Sequence, residues 1–408
     1  MHKNLNQWLI ELEKIHPLAM DFKLERIQKV FQQLNVLPIA PFVITVAGTN
    51  GKGSTTNTIA SICQSAGVAV GLYTSPHMHR FNERIQINGK DASDEEIIEA
   101  FEAIQVARGD ITLTYFEFAT LAAFYLFNKH QIEIAVLEVG LGGRLDATNI
   151  VDANLAVITP IDLDHTNLLG NTITEIAFEK AGIIKPNALA ISAENAPNIS
   201  IIEQAQKNHA PLLHAGKDFE YHKIDDSTWQ YQYQGNTFTF PMPKLQGDHQ
   251  LQNSAAAITA LFNSPMKDQL TESIIAHGLL NTQLKGRFEK VIHNHCEFYF
   301  DVTHNPQGAA ILHNLLKPYR AKGQKVIAVL GMLKDKDAAN LASALKNDID
   351  GWVLASLEGD RGQTAEQLKE RIEPFLNHNH IVLTENSVAS ACQKALSLKQ
   401  NDDIILVF

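Results

Sequence analysis

Residues 48–54 read Gly-Thr-Asn-Gly-Lys-Gly-Ser and follow directly on the apolar run 42–47. A buried strand that feeds a glycine-rich turn, with a helix-forming stretch from Thr55 to Ala66 behind it, bares backbone N–H groups at a helix N-terminus. The helix dipole favours anions there. Lys52 adds a mobile positive charge that can follow a phosphate. Thr49, Asn50, Gly51, Lys52, Gly53 and Ser54 are therefore candidate phosphate contacts. The match to the standard P-loop is incomplete. Val46 stands where the first glycine belongs, and Gly53 where the metal-binding hydroxyl belongs.

Other loops that follow apolar strands complete an inventory suited to metal and phosphate. They are Thr74–Arg84, Leu137–Asn149, Asp162–Gly170 leading to Glu179–Lys185, Asp301–Pro306 and Gly331–Asp337. Glu138 and His165 offer hard or borderline ligands, and Ser75 offers the hydroxyl missing after Lys52. Magnesium that bridges two phosphates needs few protein ligands, because waters and phosphate oxygens fill the rest of its octahedron. Each residue alone has a bland reading: a solvated Glu at a strand end, a capping or core-edge His165, a Ser75-Pro76 turn. Their joint occurrence behind consecutive strands favours a site.

Alternating strands and helices must position these loops. Strands are expected at 42–47, 68–73, 132–138, 154–159, 188–192 and 211–214, with a helix from Ser93 to Ala107 opened by a Ser93/Glu96 capping box. Apolar strands separated by helices indicate a mostly parallel sheet covered on both faces. A polar hairpin is expected across 81–92, turning at Asn88-Gly89. The alternation from Phe219 to Phe240 reads as antiparallel with one face exposed. Residues 278–287 break the pattern as a linker. Strands at 296–302, 325–330, 351–355, 379–383 and 403–407 then make a second, smaller α/β domain. The expected division is 1–280, a linker at 281–287, and 288–408.

At 408 residues two domains are the natural expectation, and 45% hydrophobic with 19% charged residues suits a globular protein. No apolar run approaches a membrane span, and no secretory signal is expected at the N-terminus. Cys63, Cys296 and Cys392 form no metal-ligand pattern and read as reduced core thiols of a cytoplasmic protein. A net charge of −11 argues against a nucleic-acid partner.

Taken together, Gly-Thr-Asn-Gly-Lys-Gly-Ser, Ser-Pro-His, Glu-Val-Gly-Leu-Gly-Gly-Arg-Leu-Asp-Ala-Thr-Asn, Asp-His, Glu-Lys-Ala-Gly-Ile and His-Asn-Pro resemble the folylpolyglutamate synthase family. More narrowly, they resemble its bacterial branch of bifunctional dihydrofolate synthase/folylpolyglutamate synthases, relatives of the Mur ligases. The resemblance runs from about Trp8 to the end of the sequence. It implies an N-terminal P-loop ATPase domain and a C-terminal Rossmann-like α/β domain. It assigns residues around Asn50 to Lys52 to the ATP phosphates, Ser75 and Glu138 to one magnesium, and His165 to a second. Lys180 matches a lysine carbamylated by carbon dioxide, and a monovalent cation also fits the family. Asn253, Arg287 and Asp301 would complete the nucleotide site across the domain cleft, with His304 near the incoming glutamate.

For dihydropteroate and folates the matching positions are Asp21, Phe22, Lys23 and Leu24; Thr114, Tyr115, Phe116 and Glu117; and Leu145, Asp146 and Ala147. Phe22 and Lys23 depart from the usual Leu-Gly, which keeps a monofunctional folylpolyglutamate synthase open. Thr303 replaces the common Ala. The implied reaction is ATP-dependent amide formation between a pteroate-type carboxylate and the amine of L-glutamate, by way of an acyl phosphate. Lys52, Lys180 and His304 are its candidate catalytic residues. The substrates are small molecules, with no membrane or nucleic-acid partner, and a monomer is expected. A Mur-type ligase with another acceptor, a P-loop nucleotide switch without ligase activity, and a simple kinase are the competing readings.

Overall fold

The computed structural model describes residues 3–18, 21–293, 296–400 and 402–408. The chain divides into two compact units, Met1–Lys244 with Gln250–Gln283, and Leu245–His249 with Leu284–Phe408.

The first unit opens on two amphipathic helices, α1 (Leu5–Ile15) and α2 (Leu24–Leu34). Asn4 and Gln7 cap α1 reciprocally, and Leu5, Trp8 and Leu12 form its buried stripe. Strand β1 (Phe42–Ala47) then leads into α3 (Lys52–Ser65) and β2 (Val70–Tyr73). A hairpin of β3 (Ile85–Ile87) and β4 (Lys90–Asp91) turns at Asn88-Gly89, both at positive φ as a two-residue hairpin turn requires. Next come α4 (Asp94–Arg108) and α5 (Tyr115–Lys129), each opened by a capping box.

Strand β5 (Ile134–Glu138), β6 (Leu155–Ile158), α6 (Thr166–Leu169), α7 (Ile173–Ala181), β7 (Leu189–Ser192), α8 (Ile199–Lys207) and β8 (Leu212–His214) complete the α/β alternation. The sheet order is β4-β3-β2-β5-β1-β6-β7-β8. Its strands from β2 to β8 pair in parallel, and the hairpin adds an antiparallel edge. Side-chain alternation sends neighbouring residues of β1 to different cores. Val43 joins the core built from α1, α2, α4 and α5, whereas Ile44 and Val46 join that of α3.

An antiparallel meander follows: β9 (Phe219–Lys223), β10 (Thr228–Tyr233) and β11 (Asn236–Pro241). Trp229, Tyr231 and Tyr233 alternate inward, and Tyr231 Oη lies 2.8 Å from Thr259 Oγ1 on α9 (His249–Phe262). Helix α10 (Glu272–Asn281) ends the unit.

The second unit has a six-stranded sheet, β12-β13-β17-β14-β15-β16. In chain order its elements are β12 (Glu289–His293), β13 (Cys296–Phe300), α11 (Pro306–Ala321), β14 (Val326–Leu330) and α12 (Ala338–Leu345). Then come β15 (Gly351–Ala355), α13 (Ala365–Ile372), β16 (Ile381–Glu385), α14 (Val388–Leu398) and β17 (Ile404–Val407). All pairs are parallel except β12 with β13.

The structure corrects several expectations. Helix α3 begins at Lys52 rather than Thr55, so Lys52, Gly53 and Ser54 are its first turn. The linker cannot begin at 278, because α10 runs to Asn281. Gly278 lets that helix close on α3, where an added Cβ would lie 2.7 Å from Ile62 Cα. Strand β12 is solvent-facing and has no apolar run to announce it. Cys63 is buried, but Cys296 and Cys392 are only half-buried. Among the described residues no helix is long and apolar enough to cross a membrane.

Candidate active site

The phosphate loop leaves β1 and is latched to the loop after β6. Pro160 carbonyl oxygen accepts from the N–H of Thr49 (2.9 Å) and Asn50 (3.3 Å). Thr49 Oγ1 donates to Asp162 O and accepts from Asp162 N, each at 3.0 Å. The Thr49 and Asn50 amides are therefore engaged within the protein. The donors suited to phosphate are those of the first turn of α3, which no side chain caps. Gly51 precedes them at φ +90°, and an added Cβ would meet Asn253 Oδ1 at 2.4 Å. Asn253 thus packs directly on the loop, with Nδ2 bonded to Gln250 Oε1 at 2.9 Å. Lys52 Nζ curls back to the carbonyls of Gly48 (2.9 Å) and Thr49 (3.1 Å).

Two predicted metal ligands meet at the ends of neighbouring strands. Glu138 closes β5 and is buried, and its Oε2 accepts from Ser75 N at 3.3 Å, just past β2. Among the described residues no cluster of three or more His, Cys, Asp or Glu side chains is arranged for a metal. A carboxylate with an adjacent serine hydroxyl is nevertheless a hard-donor set that fits a magnesium whose other ligands are waters and phosphate oxygens.

Lys180 is buried in the last turn of α7, and its Nζ donates to Gly48 O at 2.7 Å. Burial first, then the Lys52 charge, lowers its pKa to about 7, against smaller opposing effects of Asp164 and Asp146. A lysine pairing with Glu175 or Glu179 is not what forms. Glu175 caps α7, and Glu179 binds Arg144 at 2.8 Å. The loop after β5 fixes this helix end, because Arg144 N donates to Glu179 O (2.7 Å) and Asn149 Nδ2 to Gly182 O (3.1 Å). His165 stands at the start of α6 in the left-handed region, with Nε2 3.7 Å from Asp164 Oδ2. Asp164 therefore acts on both His165 and Lys180.

The segments matched to the pteroate site also converge. Arg26 on α2 pairs with Asp21 and, by Nη2, with both Glu117 oxygens at 3.1 and 3.2 Å. His16 Nε2 lies 3.8 Å from Asp21. Glu117 and Thr114 form the capping box of α5. Phe22 and Leu24 are half-buried, whereas Lys23 is exposed and leaves the start of α2 without a side-chain cap. Asp146 is buried, which pushes its carboxyl up in pKa, and it holds its own loop together. It accepts from Leu141 N (2.9 Å), Thr148 N (3.0 Å) and Thr148 Oγ1 (2.7 Å). Leu145 and Ala147 flank it.

In the second unit, Asp301 Oδ2 accepts from Phe288 N at 2.8 Å, which fixes the chain just after Arg287. Its Oδ1 accepts from Thr303 N (2.9 Å) and Thr303 Oγ1 (2.6 Å), so the threonine side chain adds a bond to the carboxylate. His304 Nδ1 lies 2.9 Å from Val302 O. A carbonyl can only accept, so Nδ1 carries the proton in this contact. His249 is half-buried beside Arg287, and desolvation first and then the Arg287 charge lower its pKa to about 4. The 331–337 loop is closed by a two-pronged Asp335–Arg361 pair, and Asp337 caps α12.

Asp164 was not singled out from sequence, although it lies inside the Asp162–Gly170 loop; Arg26 lies two residues past Leu24, and its place in the cluster comes from pairing with Asp21 and Glu117.

Two family descriptions match the chain: Mur ligase middle domain over residues 46–261, and Mur ligase, glutamate ligase domain over 286–408. Fold and site together thus define a Mur-type ligase. The dihydrofolate synthase/folylpolyglutamate synthase of Escherichia coli (strain K12) is 41% identical over 404 residues, covering 99% of this chain and 92% of that relative. Its counterpart from Haemophilus influenzae is 37% identical over 423 residues, covering 99% and 94%. The solved structure of E. coli FolC in complex with DHPP and ADP matches with a TM-score of 0.92 at 41% identity, covering 99% and 94%. A Yersinia pestis bifunctional enzyme complexed with AMPPNP and Mn ion matches at 0.89 and 38% identity, covering 99% and 95%. The chain belongs to the dihydrofolate synthase/folylpolyglutamate synthase family.

Proposed function

We propose that the protein is an ATP-dependent ligase that adds L-glutamate to dihydropteroate, forming dihydrofolate, and to reduced folates, forming folylpolyglutamates. The observation that carries this reading is the convergence of an uncapped helix N-terminus bearing Lys52 with the buried amine of Lys180 on one carbonyl, that of Gly48. A carboxylate does not expel oxide at neutral pH, so the acid must first be activated by phosphate. The acceptor carboxylate attacks the γ-phosphorus of ATP, the bond to ADP breaks, and an acyl phosphate forms. The glutamate amine then adds to the acyl carbon, and phosphate leaves from the tetrahedral intermediate as the amide forms.

Thr49 to Ser54 with Asn253 hold the nucleotide, assisted by Arg287 and by Asp301 behind it. Most of the rate enhancement on this scheme is positioning and charge neutralisation. Ser75 and Glu138 hold one magnesium, and His165 with Lys180 as its carbamate a second. The metal supplies charge neutralisation between phosphate and carboxylate. A secondary carbamate keeps one N–H, which preserves the bond to Gly48 while its oxygens become hard donors. The amine proton passes to His304 Nε2 or to a buried carboxylate. Asp21 to Leu24, Thr114 to Glu117 and Leu145 to Ala147 hold the pterin and aminobenzoate portion. Residues 1–280 carry acid activation and 288–408 the glutamate, with 281–287 joining them, in a monomeric cytoplasmic enzyme with room for a monovalent cation.

The test is ADP release from purified protein given ATP, magnesium and a reduced folate. Release that depends on both folate and glutamate supports the ligase. Turnover that ignores glutamate would indicate a nucleotide switch or a kinase.

A further inference from the structure

Two glycines hold the end of α7 against the loop after β5, and neither is there for its backbone angles. Gly182 follows α7 at φ −62° and ψ −7°, which any residue adopts, and Gly143 is likewise not at positive φ. What both supply is space. A Cβ on Gly182 would lie 2.3 Å from Arg144 Cβ and 2.6 Å from Arg144 Cα. A Cβ on Gly143 would lie 2.8 Å from the carbonyl oxygens of Glu179 and Lys180, and 3.1 Å from Lys180 Cα. Loop and helix end are therefore in backbone contact at Lys180 itself.

Hydrogen bonds close the same contact. A helix end leaves carbonyls without intrahelical partners, and here the loop supplies them. Arg144 N donates to Glu179 O at 2.7 Å, and Asn149 Nδ2 donates to Gly182 O at 3.1 Å and to Arg144 O at 3.0 Å. Lys185 Nζ returns to Asn149 O at 3.0 Å. Leu-Gly-Gly-Arg-Leu-Asp-Ala-Thr-Asn and Glu-Lys-Ala-Gly-Ile are thus two halves of one joint. The joint fixes the Cα of a long side chain whose amine ends on another element: Lys180 is 4% exposed, and its Nζ reaches Gly48 O at 2.7 Å. A carbamate makes that placement stricter. Nζ bonds to the carbon of carbon dioxide, one C=O electron pair moves onto oxygen, and an amine proton leaves to solvent. The remaining N–H must still meet Gly48 O for the two new oxygens to face a metal.

We propose that Gly143 and Gly182 are positioning residues for Lys180: they let the loop clamp the end of α7 so closely that the carbamate forms and stays aligned with the phosphate loop. This rests on the reading above that Lys180 carries a carbamate. A Cβ placed 2.3 Å from its neighbour must retreat by about 1 Å to reach ordinary contact, and a misplacement of that size can cost on the order of 10²-fold in rate.

The experiment adds increasing ¹³C-bicarbonate, with magnesium and ADP present, to wild-type protein, Gly143→Ala, Gly182→Ala and Asn149→Ala, and reads the carbamate carbon resonance. Glutamate-dependent ADP release from ATP is followed in parallel at each bicarbonate concentration. The bicarbonate needed for a half-maximal resonance should rise about 10- to 100-fold in the glycine variants, the scale on which partners that orient a metal ligand act. Asn149→Ala inserts no atom and removes two bonds, so its rise should be smaller, and it carries the test if an alanine at either glycine unfolds the chain. Turnover of the variants should recover toward wild type as bicarbonate is raised, which packing damage alone does not give. A wild-type bicarbonate dependence in every folded variant, or lost turnover that bicarbonate does not restore, overturns the proposal alone. Wild-type protein without the resonance overturns the carbamate reading and the proposal together.

Discussion

Lys180 Nζ lies 2.7 Å from the carbonyl oxygen of Gly48, so the amine at the end of α7 touches the turn that leads into the phosphate loop. With its pKa near 7, a sizeable fraction of this amine is neutral and nucleophilic at physiological pH. Carbon dioxide can then add to it, giving an anionic oxygen donor. In protein equilibrated with ¹³C-bicarbonate at pH 8 with magnesium and nucleotide, a carbamate carbon resonance is expected and should vanish in Lys180→Ala. That variant should lose at least about 100-fold in ligase turnover, a loss typical of one transition-state contact, and recover partly with short carboxylic acids. Full activity of Lys180→Ala would contradict the assignment.

The same lysine predicts a pH slope in stability. Its folded pKa is below its unfolded value, so between about pH 7 and 10 the unfolded chain binds one more proton than the folded one. Stability therefore rises with pH in that window, and the penalty of the buried charge is complete only below about 7. In carbon-dioxide-free buffer, Lys180→Met should be less pH-dependent than wild type, by up to about 1.4 kcal/mol per pH unit. Denaturant midpoints at pH 7 and 9 measure it. Equal slopes would show that the amine is not desolvated.

Lys52→Ala should leave the fold intact and lower ligase turnover on the order of 10²–10³-fold. The native contacts of Lys52 to Gly48 and Thr49 are with its own loop, so little packing is lost. Near-normal ADP release from a folded variant would remove the P-loop assignment.

Arg26→Met leaves the buried carboxylate of Glu117 uncompensated, and breaking such a pair typically costs about 3–5 kcal/mol. If the cluster shapes the pteroate pocket, KM for the acceptor should rise while KM for ATP stays within about threefold, the distinction that separates lost substrate binding from a damaged nucleotide site. Parallel rises in both constants would mark a purely structural cluster.

How much was legible in the sequence follows from where the information lies. Runs such as Phe42–Ala47 and Ile134–Glu138 announced themselves because parallel strands covered on both faces are continuously apolar. Glu138 and Ser75 were readable as strand-end residues, and their meeting follows from β2 pairing with β5. Strand β12, Glu-Lys-Val-Ile-His, faces solvent and is held by its pairing with β13 rather than by its own composition. Gly278-Leu-Leu-Asn looks like a chain break, yet it is helix because packing on α3 outweighs glycine's cost there. The capture of the Thr49 and Asn50 amides by Pro160 depends on segments far apart in sequence, and no local pattern encodes it.

The central claim is that one ATP site serves two acceptors, although Phe22 and Lys23 depart from the Leu-Gly that the family resemblance leads one to expect. The most direct measurement is glutamate-dependent ADP release with dihydropteroate, with tetrahydrofolate, and with both together at saturation. Two acceptors at one site predict turnover with each alone and a mixed rate between the two individual rates. Extension of tetrahydrofolate with no turnover of dihydropteroate at any concentration, or mixed rates that sum, would contradict it.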